Sequence, residues 1–221
     1  MADKKTALVL GATGLIGSHL LSLLLEDKRY SLVRVLVRKP LPIQHANLQQ
    51  ITANFDTLSA YKNSFAVDDV FCCLGTTIKK AGSQEAFYKV DATYPYEAAR
   101  LAKEKEARQY LIVTAMGADK NSRIFYNRVK GEVEEKIAGL NFPAFHMLHP
   151  SLLMGERNEK RTGEQIGQAV MGTLGFLMVG PLKKYKAIEG STVAKAMLNI
   201  ANQNLSGMHI YESDQLQELG K

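Results

Sequence analysis

The segment Gly11-Ala12-Thr13-Gly14-Leu15-Ile16-Gly17 constrains this chain more than any other. It follows a short apolar run, Thr6 to Leu10, and leads into a stretch with Leu15, Ile16, Leu20, Leu23 and Leu24 at helical spacing. A strand that turns through three glycines into a helix reads as the opening of a βαβ unit. The glycines allow the tight turn, and Gly17 lets the helix pack close to the strand. The helix start offers unpaired N–H groups and a partial positive charge, which suit a pyrophosphate. Gly11, Thr13, Gly14, Leu15, Ile16 and Gly17 are therefore candidate dinucleotide-phosphate residues, with a tight βα turn that holds no ligand as the plainer alternative.

The remaining pattern agrees with that opening. Apolar runs at Leu32–Val37, Leu48–Ala53, Val70–Leu74, Tyr110–Thr114 and Ala144–Leu148 read as strands, and a short strand is expected near Met208–Tyr211. Helices are expected at Val90–Glu106, with its first turns disturbed by Pro95, from a cap at Asn121 or Ser122 to about Ala138, and from about Ser191. Strands alternating with helices imply an α/β fold, a doubly wound parallel sheet in three α/β/α layers with right-handed crossovers. At 221 residues, 46% of them hydrophobic, the chain suits one large domain over residues 1–221. A small substrate-side or lid region is expected around 151–190. It includes the Gly/Met-rich stretch Thr162–Pro181, whose plainer reading is a core helix with its loop.

The net charge is +6, but the basic residues are scattered: Lys4, Lys5, Lys79, Lys80, Lys160, Arg161, Lys183 and Lys184. A solvated surface is favoured over nucleic-acid binding. No window has the uninterrupted apolar length of a membrane span, so no integral membrane association is expected. Cys72 and Cys73 are adjacent, and neighbours on a strand point to opposite faces, which makes a disulfide between them implausible. Reduced thiols and a cytoplasmic location are the expectation.

The end of the second strand addresses the cofactor. Sites for NAD usually carry Asp or Glu there to hold the ribose 2′-hydroxyl. This chain has Val35-Leu36-Val37-Arg38-Lys39. A carboxylate would repel a 2′-phosphate, whereas Arg38 can form charge-assisted hydrogen bonds to it, so NADP (NADPH) is the expected cofactor, with a merely solvated strand-end Arg38 as the plainer alternative. No residue is assigned to a metal.

Tyr126 and Lys130 stand four apart on the expected long helix, hence on one face. A phenol titrates near ~10, and a neighbouring ammonium favours its ionised form. Such a pair can pass a proton to or from a substrate oxygen while hydride moves at a nicotinamide. Thr114, at the end of the fifth strand, is a candidate to hydrogen-bond the substrate carbonyl, or else a strand-end residue satisfied by backbone. Arg157, Arg161 and Glu164 are expected on the substrate side, either binding an anionic group or forming a salt-bridged surface.

Several runs carry a resemblance. Besides the glycine loop they are Phe71-Cys72-Cys73-Leu74-Gly75-Thr76-Thr77, Lys89-Val90-Asp91, Gly117-Ala118-Asp119-Lys120, and Tyr126 with Val129-Lys130-Gly131-Glu132-Val133-Glu134. Through them the chain resembles the atypical short-chain dehydrogenase/reductases, and within these the family of the HIV Tat-interacting protein and its bacterial relatives. The resemblance implies that Asp56 meets the adenine amine and that Leu74 and Gly75 line the adenosine ribose. It implies that Lys130 holds the nicotinamide ribose, and that Pro150, Ser151 and Leu153 form the loop beside the carboxamide. The chain departs from the family at Thr114-Ala115, where Ser-Ser is frequent, at Asp91, where extended reductases carry Asn, and at His149, where Arg is common.

The expected activity is that of an NADP(H)-dependent oxidoreductase acting on a small carbonyl or alcohol. The alternative is an NADP(H)-binding redox-sensing regulator without significant turnover, since animal members of the family associate with protein partners. A homodimer or a protein partner is left open. A nucleotide-sugar epimerase is disfavoured, because only about 70 residues follow the sixth strand.

Overall fold

Alternate residues of the buried strands feed two separate cores, which is what a parallel sheet covered on both faces requires. In the computed structural model, which describes residues 4–155 and 185–221, the first strand β1 (Lys5–Leu10) shows this directly. Its Ala7 and Val9 enter one apolar cluster, Leu8 and Leu10 the other. The chain continues through α1 (Leu15–Glu26), β2 (Tyr30–Val37), β3 (Leu48–Thr52), a 3₁₀ segment (Phe55–Phe65) and β4 (Asp69–Cys72). Two short helices, α2 (Ile78–Ala81) and α3 (Gln84–Tyr88), lead through a π turn (Lys89–Thr93) into α4 (Tyr94–Glu104). Then come β5 (Gln109–Val113), α5 (Phe125–Ala138), β6 (Ala144–His149), β7 (Leu153–Met154) and β8 (Ile188–Glu189). The chain ends with α6 (Gly190–Ile200), β9 (Gly207–Glu212) and α7 (Ser213–Leu219).

Seven strands form one parallel sheet in the order β3-β2-β1-β4-β5-β6-β9, and β7 and β8 pair separately. The order reverses between β1 and β4, the switch point where open α/β sheets bind ligands at the carboxyl ends of their strands. α1, α6 and α7 cover one face through Leu20, Leu24, Val193, Met197 and Leu216. α4 and α5 cover the other through Ala98, Leu101, Val129, Val133 and Ile137. The Rossmann-type fold expected from the sequence is the fold observed. Cys72 and Cys73 are free thiols that pack toward opposite cores.

Three boundaries differ from expectation. β4 ends at Cys72 rather than Leu74: the Cys73 N–H still donates to Leu10 O at 2.9 Å, and the chain then leaves the sheet. The helix expected from Val90 opens instead as a π turn, with the Tyr94 N–H bonded to Lys89 O. Pro95 has no N–H, and its ring excludes the carbonyl of Asp91 from ordinary α geometry. α5 begins at Phe125, because Asn121 and Ser122 are used up in the preceding turns. The Asn121 N–H donates to Asp119 Oδ1, and Ser122 Oγ accepts from Ile124 N–H. The Gly/Met-rich stretch 162–181 and Arg157, Arg161 and Glu164 lie outside the described residues.

Candidate dinucleotide and catalytic site

The glycine loop is built around two close approaches. Gly11 has φ +82°, and a Cβ there would lie 2.5 Å from the carbonyl oxygen of Cys73, at the end of β4. A Cβ on Gly17 would lie 2.2 Å from Gly11 O. Any side chain at either position would push loop, helix and β4 apart. The Gly14 N–H donates to Gly11 O at 2.9 Å, and α1 starts immediately after it. α1 has no side-chain cap and no acid in its first turn. By helix geometry the N–H groups of Leu15, Ile16 and Gly17 lack intrahelical acceptors. The Leu15 side chain is occupied otherwise, wedged where a Cβ on Gly155 or Gly190 would fall, so it ties the β7–β8 pair to the start of α1. This cradle fits a pyrophosphate, since it offers backbone donors at a helix start whose first turn carries no acid.

Arg38 stands exposed one residue past β2, on the carboxyl edge next to that loop. Arg34, on the same strand, is tied down by Gln49 Oε1 at 2.9 Å and Ala66 O at 2.7 Å. Asp56 lies in the 3₁₀ segment, where its Oδ1 is 2.6 Å from Lys89 Nζ and accepts a 2.6 Å hydrogen bond from Tyr94 Oη. These two partners hold its carboxyl below the usual carboxylate range. They share a crevice of about 260 Å³ with Phe55, Glu97 and Arg100. An adenine amine would have to compete with a cation and a phenol for Asp56.

Tyr126 and Lys130 are brought together on α5. Lys130 is buried, and its Nζ lies 5.9 Å from the centre of the Tyr126 ring. Its charge is matched by Asp91, only 1% exposed, with Oδ1 2.7 Å from Nζ. Burial alone would lower the lysine's pKa. The Asp91 carboxylate and the Tyr126 oxygen outweigh it, and the net direction is upward. Asp91 Oδ2 also accepts the Thr76 N–H at 2.9 Å. Asp91 thus links the Leu74–Gly75–Thr76 loop to α5, and a Cβ on Gly75 would sit 3.5 Å from Asp91 Oδ1 and 3.9 Å from Lys130 Nζ. The Tyr126 ring packs 5.6 Å from that of Phe87, and its hydroxyl has no hydrogen-bond partner among the described residues.

Thr114 is buried, and its hydroxyl donates to Glu134 Oε1 and reaches Leu148 O at 3.3 Å. The same Glu134 oxygen lies 2.8 Å from His149 Nε2, and His149 Nδ1 is 3.5 Å from Glu212 Oε1. Pro150 O accepts the Met116 N–H at 3.1 Å. Ser151 Oγ donates to Lys186 O and accepts from Ser213 Oγ at 2.9 Å. Leu153, in β7, is partly buried against the core beneath α1. The sequence reading gave Glu134 no role, although its spacing from Tyr126 and Lys130, eight and four residues on, puts it on their helix face. His149 and Asp91 stood out only as departures from a family pattern.

A family profile described as NAD(P)H-binding matches residues 11–140, from the glycine loop to just past α5. The chain belongs to this NAD(P)H-binding family. It is 34% identical to Protein HTATIP2 of Rattus norvegicus, over 99% of its own length and 90% of that protein. It is 32% identical to Protein fmp52, mitochondrial, of Aspergillus niger, over 90% and 88%, and 37% identical to Protein FMP52, mitochondrial, of Eremothecium gossypii, over 78% and 76%. In fold the family member is similar to MoeE5 in complex with UDP-glucose and NAD (TM-score 0.69, 13% identity, covering 97% of this chain and 80% of that one). It is likewise similar to the Helicobacter pylori ADP-L-glycero-D-manno-heptose-6-epimerase (0.70, 16%, 98% and 80%). The cytoplasmic expectation does not stand, because several relatives are named as mitochondrial proteins. Reduced thiols are no guide to which intracellular compartment a chain occupies. Among the described residues no helix is long and apolar enough to cross a membrane.

Proposed function

We propose that this chain is an NADP(H)-dependent oxidoreductase that interconverts a small carbonyl and its alcohol, with Tyr126 as the proton-transferring group. The observation that carries the reading is the Tyr126–Lys130–Asp91 constellation. It stands beside Gly75 on the carboxyl edge of the sheet that also holds the glycine loop.

When bound, the dinucleotide supplies or accepts the hydride. The chain does the rest. The N–H groups of Leu15, Ile16 and Gly17 hold the pyrophosphate. Arg38 pairs with the 2′-phosphate, for which no carboxylate stands at the end of β2. The backbone at Leu74 and Gly75 would line the adenosine ribose, and the loop at Pro150, Ser151 and Leu153 would lie beside the nicotinamide carboxamide. Lys130, kept charged by Asp91, reaches the nicotinamide ribose and supports negative charge on the neighbouring phenol oxygen. The Tyr126 hydroxyl, without a hydrogen-bond partner among the described residues, gives its proton to the substrate oxygen in reduction and takes it back in oxidation. Thr114 does not fit the carbonyl-binding role well, because its hydroxyl is committed to Glu134.

The test is NADPH consumption by the purified chain against aldehydes, ketones and quinones, with Tyr126→Phe alongside. Loss of turnover by about 10²–10⁴-fold with NADPH affinity retained is expected. Undiminished turnover in the variant overturns the catalytic assignment.

A further inference from the structure

We propose that His149 and Glu134 are positioning residues: they form a protonatable brace that fixes the nicotinamide half of the site while leaving the adenosine half untouched. The proposal rests on the cofactor reading above. In a doubly wound sheet the dinucleotide straddles the switch point, one mononucleotide over each half. The brace lies wholly on the β4–β5–β6 half. Glu134 is one helical turn beyond Lys130 and two beyond Tyr126 on α5. His149 is the last residue of β6, directly before the Pro150–Ser151 loop.

The contacts run continuously across four elements. Thr114, just past β5, donates to Glu134, Glu134 meets His149 at 2.8 Å, and His149 meets Glu212 of β9 at 3.5 Å. The next residue, Ser213, donates to Ser151, and Ser151 to the carbonyl of Lys186. Thr114, Glu134 and His149 are each under a tenth exposed. The titratable groups facing the imidazole are Glu134 from α5 and Glu212 from β9, while β5 contributes only the Thr114 hydroxyl. Among the described residues neither carboxylate has a Lys or Arg partner, so the imidazolium is the only cation in the brace. Burial pulls His149 down, and the two carboxylates more than offset this, so its pKa is raised. Protonated, the ring donates to Glu134 at 2.8 Å and attracts Glu212 by charge across 3.5 Å. Neutral, it keeps one N–H, which stays on Glu134, and loses the charge that holds Glu212, which loosens β6 from β9.

The experiment compares two probes across pH with the full chain: NADPH, and 2′,5′-ADP, which carries the adenosine half alone. Titration of the 2′-phosphate is common to both and cancels, and that of the 5′-monophosphate, which only 2′,5′-ADP carries, is removed by subtracting the same comparison made in His149→Arg. Wild-type NADPH affinity should fall about tenfold relative to 2′,5′-ADP as pH rises through the His149 titration. His149→Arg should hold the high-affinity state throughout. Glu212→Gln, which removes the charge but keeps an oxygen able to accept at the start of α7, should move the transition to lower pH, because one stabilising carboxylate is gone. Parallel curves for the two probes, or a transition unmoved by both variants, overturn the brace and leave the cofactor reading intact. Failure of NADPH to bind at any pH overturns the cofactor reading and the brace together.

Discussion

The two ends of the candidate site are built from different materials. The glycine-loop end is backbone: Gly11 and Gly17 sit where a Cβ would lie 2.5 and 2.2 Å from a carbonyl oxygen, and the helix start offers unpaired N–H groups. The nicotinamide end is side chain: Lys130 on Asp91, and Thr114 on Glu134 on His149, all buried. The first is fixed by what is missing and is broken by adding atoms. The second is fixed by charges in low dielectric and is broken by removing one partner.

That contrast can be attacked from both sides. The largest effect should come from Lys130→Met, which strands the Asp91 carboxylate in the interior. Chemical denaturation should show a loss of about 3–5 kcal/mol, whereas Lys130→Met with Asp91→Asn in the same chain should recover most of it. Gly17→Ala tests the other end: overpacking against Gly11 O should destabilise by about 1–3 kcal/mol and abolish NADPH binding. A well-folded Gly17→Ala chain that binds normally would show that the loop is not a tight cradle. Arg38→Ala should cost NADPH about 1.5–3 kcal/mol of affinity and leave NADH unchanged, as read by competition between the two. Smallest of all, Tyr126→Phe should change stability by less than about 0.5 kcal/mol, since its hydroxyl bonds nothing in the described structure, while turnover collapses.

Two imidazoles on β6 give the comparison a pH axis. His146 is fully buried between Tyr211 and His209, and burial lowers its pKa to about 4. A base depressed in the folded state stabilises fully above its unfolded value near ~6.5 and loses that contribution as pH falls toward its folded value, on the order of 3 kcal/mol. His149 is raised, so its contribution is full below that unfolded value and is lost as pH rises through the folded one. Stability measured against pH should therefore fall on both flanks, with His146→Asn flattening the acid side and His149→Arg the alkaline side.

Most of the fold was legible, because a parallel sheet covered on both faces must write its strands as apolar runs, and the β1–α1 turn must write its glycines. Boundaries were missed where a backbone donor was spent out of sight. Pro95 was legible as a disturbance of the helix's first turns, which take the π form, whereas Asn121 and Ser122 went to turns rather than to the α5 cap. At the site, Tyr126 and Lys130 were legible because one helix face joins them. Thr114 was read toward the substrate because nothing in its neighbourhood in sequence shows that Glu134, twenty residues on, takes its hydroxyl. Asp56 was read toward adenine, and Lys89 and Tyr94 reach it from across the fold.

The most direct measurement is calorimetric titration of the purified, folded chain with NADPH and with NADH. The account predicts one saturable site that prefers NADPH and keeps that preference in Tyr126→Phe. Absence of saturation by either dinucleotide, or equal affinity for both, would contradict it.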